Sequence, residues 1–200
     1  MTDIAVIRRD IRTLVARDPR LDPGGPVMIE RLEPGFAGMI HLILGQQVSI
    51  EAADAMYHRL EALGPVTPEA VLALDDQTMR EHGFTRMKAG YARALARQAL
   101  DGFDLEAVAA LGVDEAVAAL ASLHGIGRWT AECYLLFSAG HRDVFPAGDL
   151  ALRVGWQEID GLAEPPSEAA LRTITAAWSP RRTAAAHLIW HKYLRSRGRR

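Results

Sequence analysis

Apolar positions along this 200-residue chain recur with a helical period almost throughout. Phe36, Met39, Ile40, Ile43 and Leu44 stand at i, i+3, i+4, i+7 and i+8, one face of a helix opened by Pro34-Gly35. The same spacing predicts helices over Ile4–Ala16, Ile50–Leu63, Pro68–Ala73, Asp76–His82, Lys88–Leu100, Asp104–Leu111 and Val113–Leu120. It predicts four more over Arg128–Ala139, Leu150–Glu158, Glu168–Trp178 and Arg182–Leu194. Thr67 before Pro68 reads as a capped start with proline at the first helical position. Gly64, Gly83, Gly102, Gly112, Gly140 and Gly161 mark helix ends. No useful stretch alternates with period two, so the pattern predicts an all-α protein. Turn-forming residues cluster at Asp22-Pro23-Gly24-Gly25-Pro26 and again between Gly161 and Ser167.

A 49% hydrophobic content is enough to fill a core, as one domain or two small lobes. No run of 18 apolar residues occurs, and the N-terminus lacks the apolar stretch of a signal peptide. The single cysteine, Cys133, rules out an internal disulfide and any four-cysteine zinc or iron–sulfur site. These features predict a cytoplasmic protein with no membrane partner. The net charge of −2 argues weakly against nucleic acid, but the distribution is uneven. From Ser179 to Arg200 there are seven Lys/Arg and no acid, and the preceding residues carry −9. That end of the chain is read either as a phosphate-facing segment or as a solvated tail. His41 is read as polar surface, Glu132 as solvent-facing, and Phe36 and Tyr134 as core or at best pocket rim.

Candidate chemistry concentrates in Leu123-His124-Gly125-Ile126-Gly127-Arg128-Trp129-Thr130-Ala131 and in Val144-Phe145-Pro146-Ala147-Gly148-Asp149. Gly125 and Gly127 bracket a turn that cannot simply continue one helix. Arg128 then opens a new helix, whose first amides lack intrahelical acceptors and favour an anion such as a phosphate. An ordinary helix–helix turn also accommodates Gly-x-Gly. Asp149 stands just before the next helix, where a carboxylate can cap it and can also do chemistry. His187 and His191 lie at i and i+4, with no third ligand evident for zinc.

From about Pro34 to Trp190 these residues resemble the helix–hairpin–helix DNA glycosylase superfamily, within it the alkylation-repair, 3-methyladenine branch. The resemblance implies a two-lobe helical fold with a cleft between the lobes. Residues 34–140 would carry the hairpin, and residues 1–33 would pack with 141–200. No N-terminal domain of mixed α/β structure is expected. Asp149 falls on the acid of the family motif and would stabilise an oxocarbenium-like sugar and activate water. Gly125, Gly127, Arg128 and Thr130 would hold the DNA backbone, and Gln47, in Gly45-Gln46-Gln47-Val48-Ser49, would wedge into the stack.

Superfamily members that also cleave the strand carry a lysine directly after the position of Arg128, and here Trp129 stands there. An indole forms no imine, so the implied enzyme is monofunctional. Trp129 and Trp190 would wall a pocket for a cationic base. Cys133 and Leu150 occupy places where relatives put tyrosines, which leaves the lesion spectrum open. No cofactor is implied beyond a monovalent ion on the backbone of Gly125 and Gly127, and no side-chain metal site. The implied partner is double-stranded DNA with a damaged base, bound by a monomer. The alternatives are a monofunctional glycosylase for ethenoadenine, hypoxanthine or mismatched bases, and a non-catalytic hairpin module that only binds DNA.

Overall fold

The computed structural model describes residues 2–198, which form twelve α-helices, two short 3-10 turns and no strand. The helices are α1 (Ile4–Arg17), α2 (Gly35–Gly45), α3 (Ile50–Glu61), α4 (Pro68–Ala73), α5 (Asp76–Glu81) and α6 (Arg86–Leu100). They continue with α7 (Leu105–Ala109), α8 (Val113–Ala121), α9 (Arg128–Phe137), α10 (Leu150–Asp160), α11 (Glu168–Thr175) and α12 (Arg182–Ser196). The all-α expectation holds, and boundaries move where a cap decides them. Thr67 does cap α4, its Oγ1 accepting from the Ala70 amide at 3.2 Å. α6 begins two residues early because Thr85 caps it through the Lys88 amide. α11 stops at Thr175 and tightens into a 3-10 turn over Ala176–Trp178.

The chain divides into two units, one running from Leu32 to Ala139 and one taking in the chain up to Arg31 and from Gly140 onward. In the central unit α2 packs against α3, α6 and α9, while α4 lies on α6 and α8 on α9. Met39, Ile40, Ile43 and Leu44 of α2 are fully buried there, with Leu95, Leu120, Leu135 and Leu136. Tyr134 is core, and burial pushes its hydroxyl up to about 12. His41 is a correction. It is buried, stacks on Tyr57 with ring centroids 4.3 Å apart, and bonds Asp54 at 3.0 Å. The cause is that α2 is covered nearly all round, so even its polar positions face neighbours.

In the terminal unit α12 packs on both α1 and α10. Gly155 lets α10 and α12 approach closely, since a Cβ there would lie 2.7 Å from Ile189 Cγ2. The cations of the basic C-terminal segment find partners within the fold. Arg181 pairs with Asp10, Arg182 with Asp143, and Arg197 with Glu158. Lys192 donates to the carbonyls of Arg20 and Asp22, and Arg195 to that of Pro23. These cations therefore tie α12 to its own unit, while Arg199 and Arg200 lie outside the described residues.

Asp10 is the deepest of these anchors, 1% exposed, with Arg142 at 2.6 Å and Arg181 at 3.4 Å. Replacing it with alanine leaves two guanidinium groups without their shared counter-charge. Asp10→Ala should cost about 2–4 kcal/mol in a urea unfolding curve; a loss below about 0.5 kcal/mol would reduce the pair to a surface contact.

Candidate active site

Asp149 is the N-cap of α10, and its Oδ1 accepts from the Leu152 amide at 3.0 Å. The same oxygen accepts from Trp190 Nε1 at 3.1 Å. Capping and chemistry are therefore compatible, because two donors fix one oxygen and so set the orientation of the carboxylate. The close approach at Gly155 lets α12 bring Trp190 to this point. Trp190 was expected as a pocket wall. The structure adds a role the sequence did not reveal, that of a hydrogen-bond donor to the acid. The donation depends on a distance across two helices, and no spacing along the chain announces it.

His187, one turn before Trp190, is buried, with ring centroids 6.4 Å apart. Burial, aided by the positive charge of Arg31, holds the imidazole down to about 4. It is therefore neutral at ordinary pH. Leu150, directly after Asp149, is 64% exposed. The other acid weighed nearby, Asp143, is taken up by Arg182 at 2.9 Å and by the Ser179 hydroxyl at 2.7 Å.

In the central unit α8, the turn at 122–127 and α9 form the helix–hairpin–helix. Gly125 has φ +85°, and a Cβ there would fall 2.1 Å from the ring of Tyr91, so the turn rests directly on that ring. Gly127 behaves differently. Its φ is −85°, it caps α9 with no side-chain bond, and nothing lies within 4 Å of where its Cβ would be. Its value is open space in front of the amides that begin the helix, at the positive end of the helix dipole. Thr130 is buried, and its Oγ1 accepts from Gln46 Nε2 at 3.3 Å. Trp129 is half-buried at the second position of α9. Arg128 is exposed and pairs with Glu132 at 3.0 Å, and Glu132 is buried, contrary to expectation. One helical turn places the acid beneath its partner, on the inward face of α9.

The two carbonyls picked out for a monovalent ion are already acceptors. Gly125 O takes Gln46 Nε2 at 3.0 Å, and Gly127 O takes the Ala131 amide at 3.0 Å in the first turn of α9. Gln47 is exposed at φ +59°, a backbone state that costs a non-glycine residue about 1 kcal/mol. Its neighbour Gln46 reaches the hairpin, a link that the sequence reading missed.

Residues 40–180 match the HhH-GPD superfamily of base excision DNA repair proteins. The chain belongs to that superfamily. DNA-3-methyladenine glycosylase 1 of Schizosaccharomyces pombe is 31% identical over 168 residues, 81% of this chain and 73% of the relative. DNA-3-methyladenine glycosylase 2 of Escherichia coli is 28% identical over 83% of this chain, which spans 59% of that enzyme. Among solved structures, the S. pombe 3-methyladenine DNA glycosylase in complex with abasic DNA superposes with a TM-score of 0.82 at 27% identity, covering 91% of this chain and 95% of that one. This HhH-GPD protein is a DNA glycosylase, a hydrolase of the N-glycosidic bond. No helix among the described residues is long and apolar enough to cross a membrane.

Two outcomes follow from this geometry. Between pH 6.5 and 4 an unfolded chain takes up a proton that folded His187 refuses. Stability is complete above pH 6.5 and falls towards pH 4, by up to about 3 kcal/mol. Urea midpoints across that range should show the fall, and His187→Asn should flatten it. Gly125→Ala meets both the Tyr91 ring and a forbidden φ. It should weaken DNA binding at least about tenfold in a fluorescence titration, and Tyr91→Ala should not rescue it, because the backbone strain remains.

Proposed function

We propose that this protein is a monofunctional glycosylase that removes alkylated purines, 3-methyladenine first and 7-methylguanine beside it, from double-stranded DNA. The carrying observation is the carboxylate of Asp149, fixed by Trp190 and the α10 amide, in a chain with Trp129 after Arg128. The names of the relatives and the DNA-bound structural neighbour support the substrate class.

In the reaction the bond from C1′ to the purine nitrogen breaks, and its electron pair leaves with the base. A base that already carries a positive charge leaves neutral, so no acid has to protonate it. Asp149 stabilises the cationic sugar and accepts the proton of the water that attacks C1′. The product is an abasic sugar, because Trp129 offers no amine to form an imine. Trp129 and Trp190 offer aromatic faces to a cationic base. The hairpin amides beginning at Gly127, together with Arg128 and the backbone at Gly125 and Thr130, hold phosphates without reading sequence. Gln47 fills the gap left by the extruded nucleotide.

One observation favours a second reading. The exposed side chain beside Asp149 is the aliphatic Leu150, which offers no cation–π attraction and suits neutral adducts such as ethenoadenine or hypoxanthine. Incubation with dimethyl-sulfate-treated DNA and chromatography of the released bases decides between them. Free 3-methyladenine is expected; release of neutral bases alone from mixed-lesion DNA would establish the second reading.

Asp149→Asn should lower excision about 10²–10⁴-fold while DNA affinity stays equal or rises. Trp190→Phe keeps the ring but removes the donor, and should cost about tenfold. Borohydride should trap no covalent enzyme–DNA adduct, and a trapped adduct would overturn the monofunctional mechanism.

A further inference from the structure

The loop between α2 and α3 is gripped by two polar side chains that have no part in the reaction above. Lys88 on α6 is buried, and its Nζ donates at 2.6 Å to the carbonyl of Leu44 in the last turn of α2. There it satisfies a carbonyl that the helix leaves over, and it sets a cation against the negative end of the dipole. Two residues on, Gln46 Nε2 donates to Gly125 O and to Thr130 Oγ1. Tyr91 lies one turn beyond Lys88 on α6, and its ring lies beneath Gly125. α6 thus holds the end of α2 with one residue and the hairpin with another, and Gln46 spans directly from loop to hairpin. Gln47 follows Gln46, exposed and left-handed, with exposed Val48 and Ile50 beside it.

We infer that Gln46 is a positioning residue that, together with Lys88, locks the turn presenting Gln47 onto the hairpin, so that strand anchoring and base extrusion share one rigid platform. The inference rests on the wedge role proposed for Gln47. An unbraced turn would let a strained, exposed glutamine relax to other backbone states, and the push on the stacked base would be lost with them. The side chain at position 46 has to donate. Glutamate has the same shape but no N–H, and methionine has similar length with no polar hydrogen. Burial holds the Lys88 ammonium below the ordinary lysine range. Its bond to Leu44 O is therefore a costly contact to keep in a loop of no consequence.

The test reads extrusion without bond cleavage, so its result does not depend on which lesion is excised. A duplex carries 2-aminopurine at the target position, either paired or in an unpaired bulge, and its fluorescence rise on mixing with saturating enzyme is timed. Gln46→Met should slow the rise on the paired duplex by about tenfold and on the bulge by much less, with the melting temperature held within a few degrees. Lys88→Met should act in the same direction, and Lys88→Arg should recover most of the rate; these two variants carry the test if Gln46→Met folds poorly. Gln47→Ala separates the two ideas. If it leaves paired-duplex extrusion unchanged, the wedge role fails, and the brace fails with it. If Gln47→Ala slows extrusion while Gln46→Met does not, or slows both substrates equally, the brace alone is overturned.

Discussion

The crossing of α10 and α12 is the constraint on which the proposed catalytic corner depends. Asp149 sits at the first turn of one helix and Trp190 near the middle of the other, and neither helix alone determines what the carboxylate does. The missing side chain at Gly155 decides the spacing, since a methyl group there would collide with Ile189 and crowd Tyr193. At the observed spacing the indole N–H reaches Oδ1 at 3.1 Å, and the helix cap supplies the second donor. In the role proposed for Asp149, beside a developing cation, a carboxylate gains from fixation before substrate arrives. The ion pairs and hydrogen bonds of this segment serve the same end: Arg181, Arg182, Lys192, Arg195 and Arg197 each bind a partner within the terminal unit.

The hairpin follows a different physical logic. Its shape depends on one left-handed glycine pressed onto Tyr91, and its open face depends on a second glycine with unremarkable dihedrals. The same residue type thus serves conformation at Gly125 and clearance at Gly127. Polar groups that could have fluctuated are absorbed into the fold. Thr130 is buried and bonded to Gln46, and Glu132 is buried against Arg128. The surface proposed to meet a phosphate is mostly backbone, which binds an anion with little side-chain entropy to lose.

The helices were legible because each combines a 3.6-residue apolar period with a local stop or start. Thr67-Pro68 marked α4 within the chain itself, and α2 was visible from five apolar positions. Asp149 was legible as both cap and acid because both roles use one residue before a helix. Other features were hidden for a common reason: they depend on contacts between elements far apart in sequence. His41 and Glu132 are polar, so composition placed them outside, whereas a helix buried on most sides takes polar residues inward with their partners. The C-terminal cations looked available because their acids and carbonyls come from α1, α10 and the loop at 20–23. The donation from Trp190 and the reach of Gln46 span 41 and 79 residues, beyond any local pattern.

Charge placement connects these points. Between Leu32 and Ala139 there are seven Lys/Arg against fourteen Asp/Glu, so the unit with the hairpin carries a net −7. Of those seven, Lys88 is buried and Arg128 and Arg93 are paired with acids. Such a unit does not attract a polyanion by its overall field, and the proposed grip on the strand then falls mainly to close-range groups such as the amides at the start of α9. A contact that releases few counterions contributes little to the usual steep fall of DNA affinity with salt. Amide-based gripping also works only at a defined distance and angle. A rigid hairpin, seated on Tyr91 and strutted by Gln46, is therefore the condition for binding by this means, where a basic surface would have tolerated a looser fit.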